Sequence, residues 1–278
     1  VQSDPKALAQ QDITADWLLS IANLSMIPAA VLDRATRGAI NFHDGPLPRY
    51  AGLNTPAWAI INGETTHAVT WHIIEGGVDE GDVLAQHSVA IAPDETAFSL
   101  NSKCYAAGME SFGAVMAQLE AQSLSRTPQD LSQRSYFSRD QRPEGAGFID
   151  FDWPAERLSA LARGLDFGTY WNPLTTLKIA LGDRVLRVGH LDLSVAVSEP
   201  AGTVVAQTGD TLTVATATLP VVLSQITDLD GRAVDIGALV KVGDRVPAPI
   251  GDLVQALDVA DEGYWRARLS AAQPLDLP

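Results

Sequence analysis

With 278 residues, 46% of them hydrophobic, the chain is long enough for one large or two ordinary domains with real cores. Its formal net charge of −15 repels nucleic-acid phosphates and argues against a stable RNA or DNA partner. Cys104 is the only cysteine, so there is no intrachain disulfide framework or cysteine-rich metal site; no apolar run approaches the ~18 residues of a membrane helix and no signal peptide is visible, so a cytoplasmic location without membrane attachment is expected.

Residues 1–14 are polar, contain Pro5 and read as a linker or an incomplete helix. The apolar run Trp17–Ala22 predicts a buried parallel strand, followed by a loop over 23–28. Residues 29–36 have helical composition with Gly38 as C-cap, and 39–42 form the next strand. In such a β-α-β unit ligands bind beyond the carboxyl ends of the strands, which puts the 23–28 and 43–50 loops on the functional side.

Asn54 or Thr55 caps a short helix carrying Pro56, Trp58, Ile60 and Ile61, ended by Asn62-Gly63. His67–Ile74 and Val83–Ile91 read as strands flanking the glycine-rich loop 76–81. The longest helical pattern covers 94–121, capped by Asp94 or Thr96. Its apolar face is Leu100, Cys104, Met109, Phe112, Val115, Met116 and Leu119. Residues 122–147 are rich in Ser, Gln, Arg, Pro and Gly and read as a linker or a segment flanking an active site. After Phe148–Phe151 and a helix from Pro154 to Gly164, strand-like runs at 174–181, 184–194, 202–207, 211–216 and 220–229 predict a small β barrel.

Asn41 and His43 lie two apart, so they share one face of their strand, and Asp79 follows in the glycine-rich loop. An amide, an imidazole and a carboxylate brought to one point can move a proton and steady an oxyanion. His72 either lines that point or is an ordinary strand histidine. Asp44 and Asp82 read as solvated or capping residues. His67, His87 and His190 lack metal-ligand spacing, Gly76-Gly77 is too generic for a phosphate loop, and Cys104 and the Trp58 and Trp71 rings read as core.

Asn41-x-His43 is followed by Pro46-Leu47-Pro48-Arg49-Tyr50-x-Gly52, then by Trp58-Ala59-Ile60, Gly63-Glu64, Val69-Thr70-x-His72 and Asp79-x-Gly81. This series resembles the 10-formyltetrahydrofolate-dependent formyltransferases. The resemblance implies an α/β, Rossmann-like formyltransferase domain over 1–140, of which the N-terminal β-α-β-α-β half is missing from these residues. It also implies a C-terminal OB-like β-barrel domain over 148–250, through Ile149-Asp150, Pro154-Ala155, Arg163-Gly164-Leu165 and Ala201-Gly202-x-Val204-Val205. It further implies an enzyme using the folate donor 10-formyltetrahydrofolate as cosubstrate, with no metal. Asn41, His43 and Asp79 would be catalytic. Asn41 would donate to the formyl oxygen, His43 would polarise it, and Asp79 would take the amine proton directly or through a water. The pterin would rest on Leu24, Ser25, Met26 and Ile27 and on Glu75, Gly76, Gly77 and Val78.

Residues 251–278 read as a linker into a downstream module. Glu262-Gly263-Tyr264-Trp265-Arg266-x-Arg268-Leu269 and Pro274-Leu275-x-Leu277-Pro278 resemble a fragment of nonribosomal peptide synthetases. The resemblance implies a synthetase-embedded formyltransferase, with an aminoacyl group on a carrier protein as acceptor and adjacent synthetase domains as partners. A nucleotide-sugar amine and methionyl-tRNA are the alternative acceptors, and a non-catalytic scaffold is the competing class.

Overall fold

The computed structural model describes Leu8, Gln10, Gln11 and residues 13–248. Most of the expected N-terminal linker and the whole 251–278 tail lie outside the described residues. The chain divides into two units, Val1–Arg139 and Asp140–Pro278.

In the first unit β1 (Ala15–Ser20) runs parallel to β2 (Ala35–His43). The helix expected over 29–36 shrinks to one turn, α1 (Ala29–Leu32). Residues 35–38 join β2 instead, because β1 offers them a ladder that pairs Ala15 with Ala35 and Trp17 with Gly38. Gly38 is therefore a strand residue rather than a C-cap; its φ of +132° suits glycine, and a Cβ there would sit 3.2 Å from the Trp17 ring. Among the described residues the strand expected to be buried, β1, lies at an edge of the sheet, with Trp17, Leu18 and Leu19 only half-buried.

Beyond β2 come the two-residue strand β3 (Ala51–Gly52), helix α2 (Thr55–Ile61), and the antiparallel pair β4 (Thr66–Ile73) and β5 (Val83–Ala90). Asn54 precedes α2 in the left-handed region, at φ +57°, and its side chain makes no capping bond. β4 is also antiparallel to β2, giving a mixed sheet of order β1-β2-β4-β5 in which only β1 and β2 are parallel.

Helix α3 (Ala97–Glu120) opens on Thr96, whose side chain accepts from the Ser99 amide while Ser99 Oγ accepts from the Thr96 amide. This reciprocal cap satisfies two donors that the first turn would leave open. Leu100, Cys104, Val115 and Leu119 are buried, but Met109, expected in that face, is 75% exposed. Gly108 takes the close contact instead, since a Cβ on it would lie 2.6 Å from the Phe42 ring. Phe42, Trp71 and Phe112 pack at centroid distances of 5.1 and 5.6 Å, and Trp71 Nε1 donates to Ser111 Oγ at 2.9 Å. α3 thus covers the sheet face bearing Phe42 and Trp71. Strand alternation leaves Asn41, His43, Thr70 and His72 on the other face.

The stretch 122–147, read as a linker or a segment flanking an active site, is partly ordered into the sheet system. β6 (Tyr136–Phe137) pairs parallel with β3, and the Phe137 ring stacks on Tyr50 and Trp58 at 5.2 and 5.0 Å.

In the second unit α4 (Ala155–Gly164) precedes the hairpin of β7 (Lys178–Leu181) and β8 (Arg184–Arg187). β9 (His190–Leu193), β10 (Val204–Thr208), β11 (Thr211–Val214) and β12 (Val221–Ser224) form an antiparallel sheet of order β10-β11-β12-β9. Arg187 bridges to Thr227 and ties the hairpin to that sheet. Leu158, Leu174, Ile179, Leu186, Leu212, Leu223 and Ile236 are at most 1% exposed and make its core. Among the described residues no helix is long and apolar enough to cross a membrane.

Candidate active site

The polar sheet face is built by register. Asn41 pairs with His72 and His43 with Thr70 across β2 and β4, and Gln86 of β5 stands opposite Thr70. Thr70 Oγ1 donates to the Gly45 carbonyl at 2.7 Å and accepts from Gln86 Nε2 at 3.0 Å, which holds the start of the Gly45–Tyr50 loop against the sheet.

Asp79 completes the cluster by a route that strand ends alone do not supply. Ile73, the last residue of β4, pairs with Ile40 in mid-β2, so the 74–82 loop leaves the sheet beside the middle of β2. The Asp79 carboxylate nevertheless reaches both imidazoles: Oδ2 is 3.7 Å from His43 Nδ1 and Oδ1 is 3.5 Å from His72 Nε2. Oδ2 also accepts the Gly52 amide at 2.9 Å. The Asp79 backbone sits at φ +56°, a conformation that costs a non-glycine residue about 1–3 kcal/mol unless its surroundings hold it.

Hydrogen-bond bookkeeping fixes most of the protons. His43 Nε2 lies 2.7 Å from the Tyr50 carbonyl, which can only accept, so Nε2 carries a hydrogen and Nδ1 faces Asp79. His72 Nδ1 likewise donates to the Ile73 carbonyl at 2.9 Å, and its Nε2 meets Asn41 Nδ2 at 3.2 Å. The side chains of His43, His72 and Asp79 are 5%, 3% and 11% exposed, while Asn41 is half-buried. Burial pushes the Asp79 carboxyl up. The His72 hydrogen bond, the His43 charge and the Gly52 amide pull it down further, to about 2. Asp79 is therefore a weak base and a persistent anion at neutral pH.

The three residues expected to act together, Asn41, His43 and Asp79, are brought together, and His72 joins them. The sequence placed His72 in the motif Val69-Thr70-x-His72 and left open whether it lines the site or is an ordinary strand histidine. The loop residues fare differently. Leu24 and Met26 are 73% and 76% exposed and Val78 37%; Ser25, Glu75, Gly76 and Gly77 are also exposed and Ile27 is half-buried. Among the described residues no hydrogen bond joins 24–27 to 75–78. Asn23 closes its own loop onto Ser25, while the Gly77 amide donates to Glu80 at 3.0 Å.

The remaining polar residues have structural partners. Asp44 accepts from Thr55 Oγ1 at its carbonyl and carboxylate, and Asp82 pairs with Arg126. His67 is buried with Nε2 on the Asp44 carbonyl at 2.7 Å, and burial lowers its pKa. Burial pushes the Cys104 thiol up, which suits an inert core position. Among the described residues no group of three or more His, Cys, Asp or Glu could hold a metal ion.

The fold and cluster define a class: an α/β domain with an amide, two imidazoles and an ionised carboxylate on the open face of a mixed sheet. Comparison with known proteins agrees with this class. Residues 3–116 match the formyl transferase family. A methionyl-tRNA formyltransferase of Agathobacter rectalis is 35% identical over 152 residues, covering 55% of this chain and 48% of the relative. One from Geobacter metallireducens is 31% identical over 161 residues, covering 58% and 51%. The chain thus spans about half the length of the curated relatives it matches.

Among solved structures, the sugar 3N-formyl transferase WlaRD, crystallised in the presence of dTDP and 5-N-formyl-THF, superposes with a TM-score of 0.60 at 20% identity, covering 77% of this chain and 74% of that one. HypX from Aquifex aeolicus in complex with tetrahydrofolic acid gives a TM-score of 0.55 at 16% identity, covering 77% and 36%. These two likenesses establish a shared fold.

Proposed function

We propose that the chain transfers a formyl group from 10-formyltetrahydrofolate to a primary amine, with Asn41, His43 and Asp79 as its catalytic residues. The observation that carries the reading is the meeting of these three side chains, with His72, inside the segment that matches the formyl transferase family. The methionyl-tRNA formyltransferase relatives and the folds of folate-bound neighbours support it.

The amine nitrogen attacks the formyl carbon, and the new C–N bond forms as the bond to the folate N10 breaks. Asn41 donates to the carbonyl oxygen as it becomes an oxyanion. The amine proton passes to His43 Nδ1 and from there to N10. Asp79 stays ionised and stabilises the imidazolium in between. Its low basicity favours this role over taking the amine proton itself. The pterin rests against the 24–27 and 75–78 loops, whose exposed Leu24, Met26 and Val78 offer apolar surface.

The acceptor we assign is an aminoacyl group on a carrier protein. Net charge −15 opposes a tRNA partner, and from Gly145 to Ile250 there are 12 acidic and 8 basic residues where a tRNA-binding domain is basic. The Glu262–Pro278 resemblance to a synthetase fragment supplies the alternative. A tethered carrier needs only weak docking, because its effective concentration is high. The second unit, whose strands suit an OB-like barrel, then serves the neighbouring domains. A nucleotide-sugar amine is the second reading, favoured by the extent of the likeness to WlaRD.

The test offers the full-length protein 10-formyltetrahydrofolate with an aminoacyl carrier protein, an amino-sugar nucleotide or methionyl-tRNA. Mass spectrometry then reads which amine gains a formyl group. Formylation of the carrier-bound amino acid is expected. Formylation of the sugar or the tRNA alone would reassign the acceptor, and no formylation at all would leave a scaffold.

A further inference from the structure

Residues 126–137 hold both pieces of backbone that carry the site. Arg126 pairs with Glu75 and, at 2.9 Å, with Asp82. Thr127 and Val83 exchange two backbone hydrogen bonds, each of 2.9 Å. Gln129 Nε2 donates to the carbonyls of Asp79 at 2.9 Å and Gly81 at 2.6 Å. Arg134 Nη2 donates to the Val78 carbonyl at 3.0 Å, and its Nε lies 3.6 Å from Glu80.

The same segment then turns to the other side of the site. Ser135 Oγ accepts the Tyr50 amide and the Ser135 carbonyl accepts the Ala51 amide, both at 2.9 Å. The Phe137 carbonyl accepts the Leu53 amide at 2.9 Å. Tyr50 is the residue whose carbonyl holds His43, and Gly52 is the one whose amide holds Asp79.

We propose that residues 126–137 are a clamp that assembles the His43–Asp79 pair, and that Gln129 is the positioning residue holding Asp79 in place. Two carbonyls, of Asp79 and Gly81, converge on one side-chain amide that has two hydrogens to give. That convergence closes the turn in which Asp79 is left-handed. No side chain at Gly81 could substitute, since a Cβ there would lie 1.9 Å from the Ile73 carbonyl. Without Gln129 both carbonyls lose their donor, the left-handed conformation loses its restraint, and Asp79 swings off its partners. Those partners are His43 on β2, His72 on β4 and the Gly52 amide on β3. Glu80 lies beside Asp79 and is paired with Arg134, while Glu75 and Asp82 are paired with Arg126.

The role in turnover rests on the formyl-transfer reading, so the test reads Asp79 directly as well. In the full-length protein, Gln129→Leu removes both donors, and Gln129→Glu keeps the shape while presenting acceptors. Carboxyl-carbon NMR follows the Asp79 titration, thermal melting follows the fold, and steady-state kinetics follow transfer. In the folded variants the Asp79 midpoint is expected to move from about 2 toward the ordinary value of about 3.9. With it kcat falls by up to about 10²-fold, with KM for the folate donor little changed. An unmoved Asp79 titration in either folded variant would overturn the proposal. Loss of the folded state in both would also overturn it, making Gln129 a plain structural residue. A shifted titration with no formylation even by the parent protein would uphold the clamp and sink the formyl-transfer reading.

Discussion

The Asn41 amide meets the His72 imidazole at 3.2 Å. His72 Nδ1 is committed to the Ile73 carbonyl, so its Nε2 lies between the Asn41 amide and the Asp79 carboxylate. An amide nitrogen carries two hydrogens, so Asn41 keeps one for a substrate oxygen even where the other is turned to His72. Asn41→Ala removes that donor and is expected to lower kcat by about 10²–10³-fold, or ~2.7–4 kcal/mol, with the melting temperature held. Asn41→Asp, which keeps the shape but loses both hydrogens, should fail as badly. Steady-state formylation with a circular-dichroism melt of each variant checks this; turnover near the parent's in Asn41→Asp would exclude the oxyanion role.

His43 and Asp79 form the second half of the proposed mechanism. His43→Ala is expected to abolish proton transfer, and Asp79→Asn to cut kcat while leaving donor binding near normal. Single-turnover formylation of each folded variant, alongside calorimetric titration of the folate donor, separates the transfer step from binding. An Asp79→Asn protein that turns over like the parent would exclude the carboxylate from the transfer.

Asp79 also sets acid stability. Its folded-state pKa of about 2 lies below the model-compound value of 3.8. The stability it contributes is therefore present above pH ~4 and is lost as the pH falls toward 2, about 2 kcal/mol in all. Urea titrations across that window should show a steeper decline for the parent than for Asp79→Asn. Parallel curves would contradict the depressed value.

His67 acts at a higher pH. Burial lowers its pKa, so the folded state binds its proton less readily than the unfolded chain does. Stability from this group is full above the unfolded value near 6.5 and declines as the pH falls below it. Its Nδ1 is buried without a hydrogen-bond partner among the described residues, which leaves a protonated ring no place for its second hydrogen. His67→Gln keeps a donor for the Asp44 carbonyl and should flatten the stability curve between pH 7 and 5, as chemical denaturation would read.

Gly52 is a site where only glycine fits. Its φ is +100° and a Cβ would stand 2.2 Å from the Phe137 carbonyl. Gly52→Ala must therefore displace β6 or the turn that donates to Asp79. It is expected to cost more than about 2 kcal/mol of stability, and also to lower kcat. A stable, fully active Gly52→Ala protein would show that the β3–β6 pairing is dispensable.

Much of the architecture was legible because it rests on local periodicity. Asn41 and His43 share a face by strand parity, Asp94 or Thr96 announces the start of α3, and the C-terminal strands alternate between turn signals. The run of motifs from Asn41 to Gly81 carried the formyltransferase resemblance for the same reason, since each piece is a short local word. Local signals failed where a distant partner decided the outcome. Residues 35 and 36, expected to end a helix capped by Gly38, instead complete a ladder with β1, and Met109 keeps the apolar period while Gly108 takes the contact with Phe42.

The sequence by itself determined which side chains could do the chemistry and on which strand face two of them lie. Only the tertiary structure decided that His72 joins them, that Asp79 folds back to reach both imidazoles, and that residues 126–137, read as a linker or a segment flanking an active site, bond to both loops. The reason is physical. Gln129, Arg134 and Ser135 bind backbone groups 48 to 85 residues away, and a carbonyl or an amide is the same group whatever the residue that bears it. Such bonds leave no pattern in the amino-acid order, and they exist only once the β2–β4 register has brought the two loops within reach.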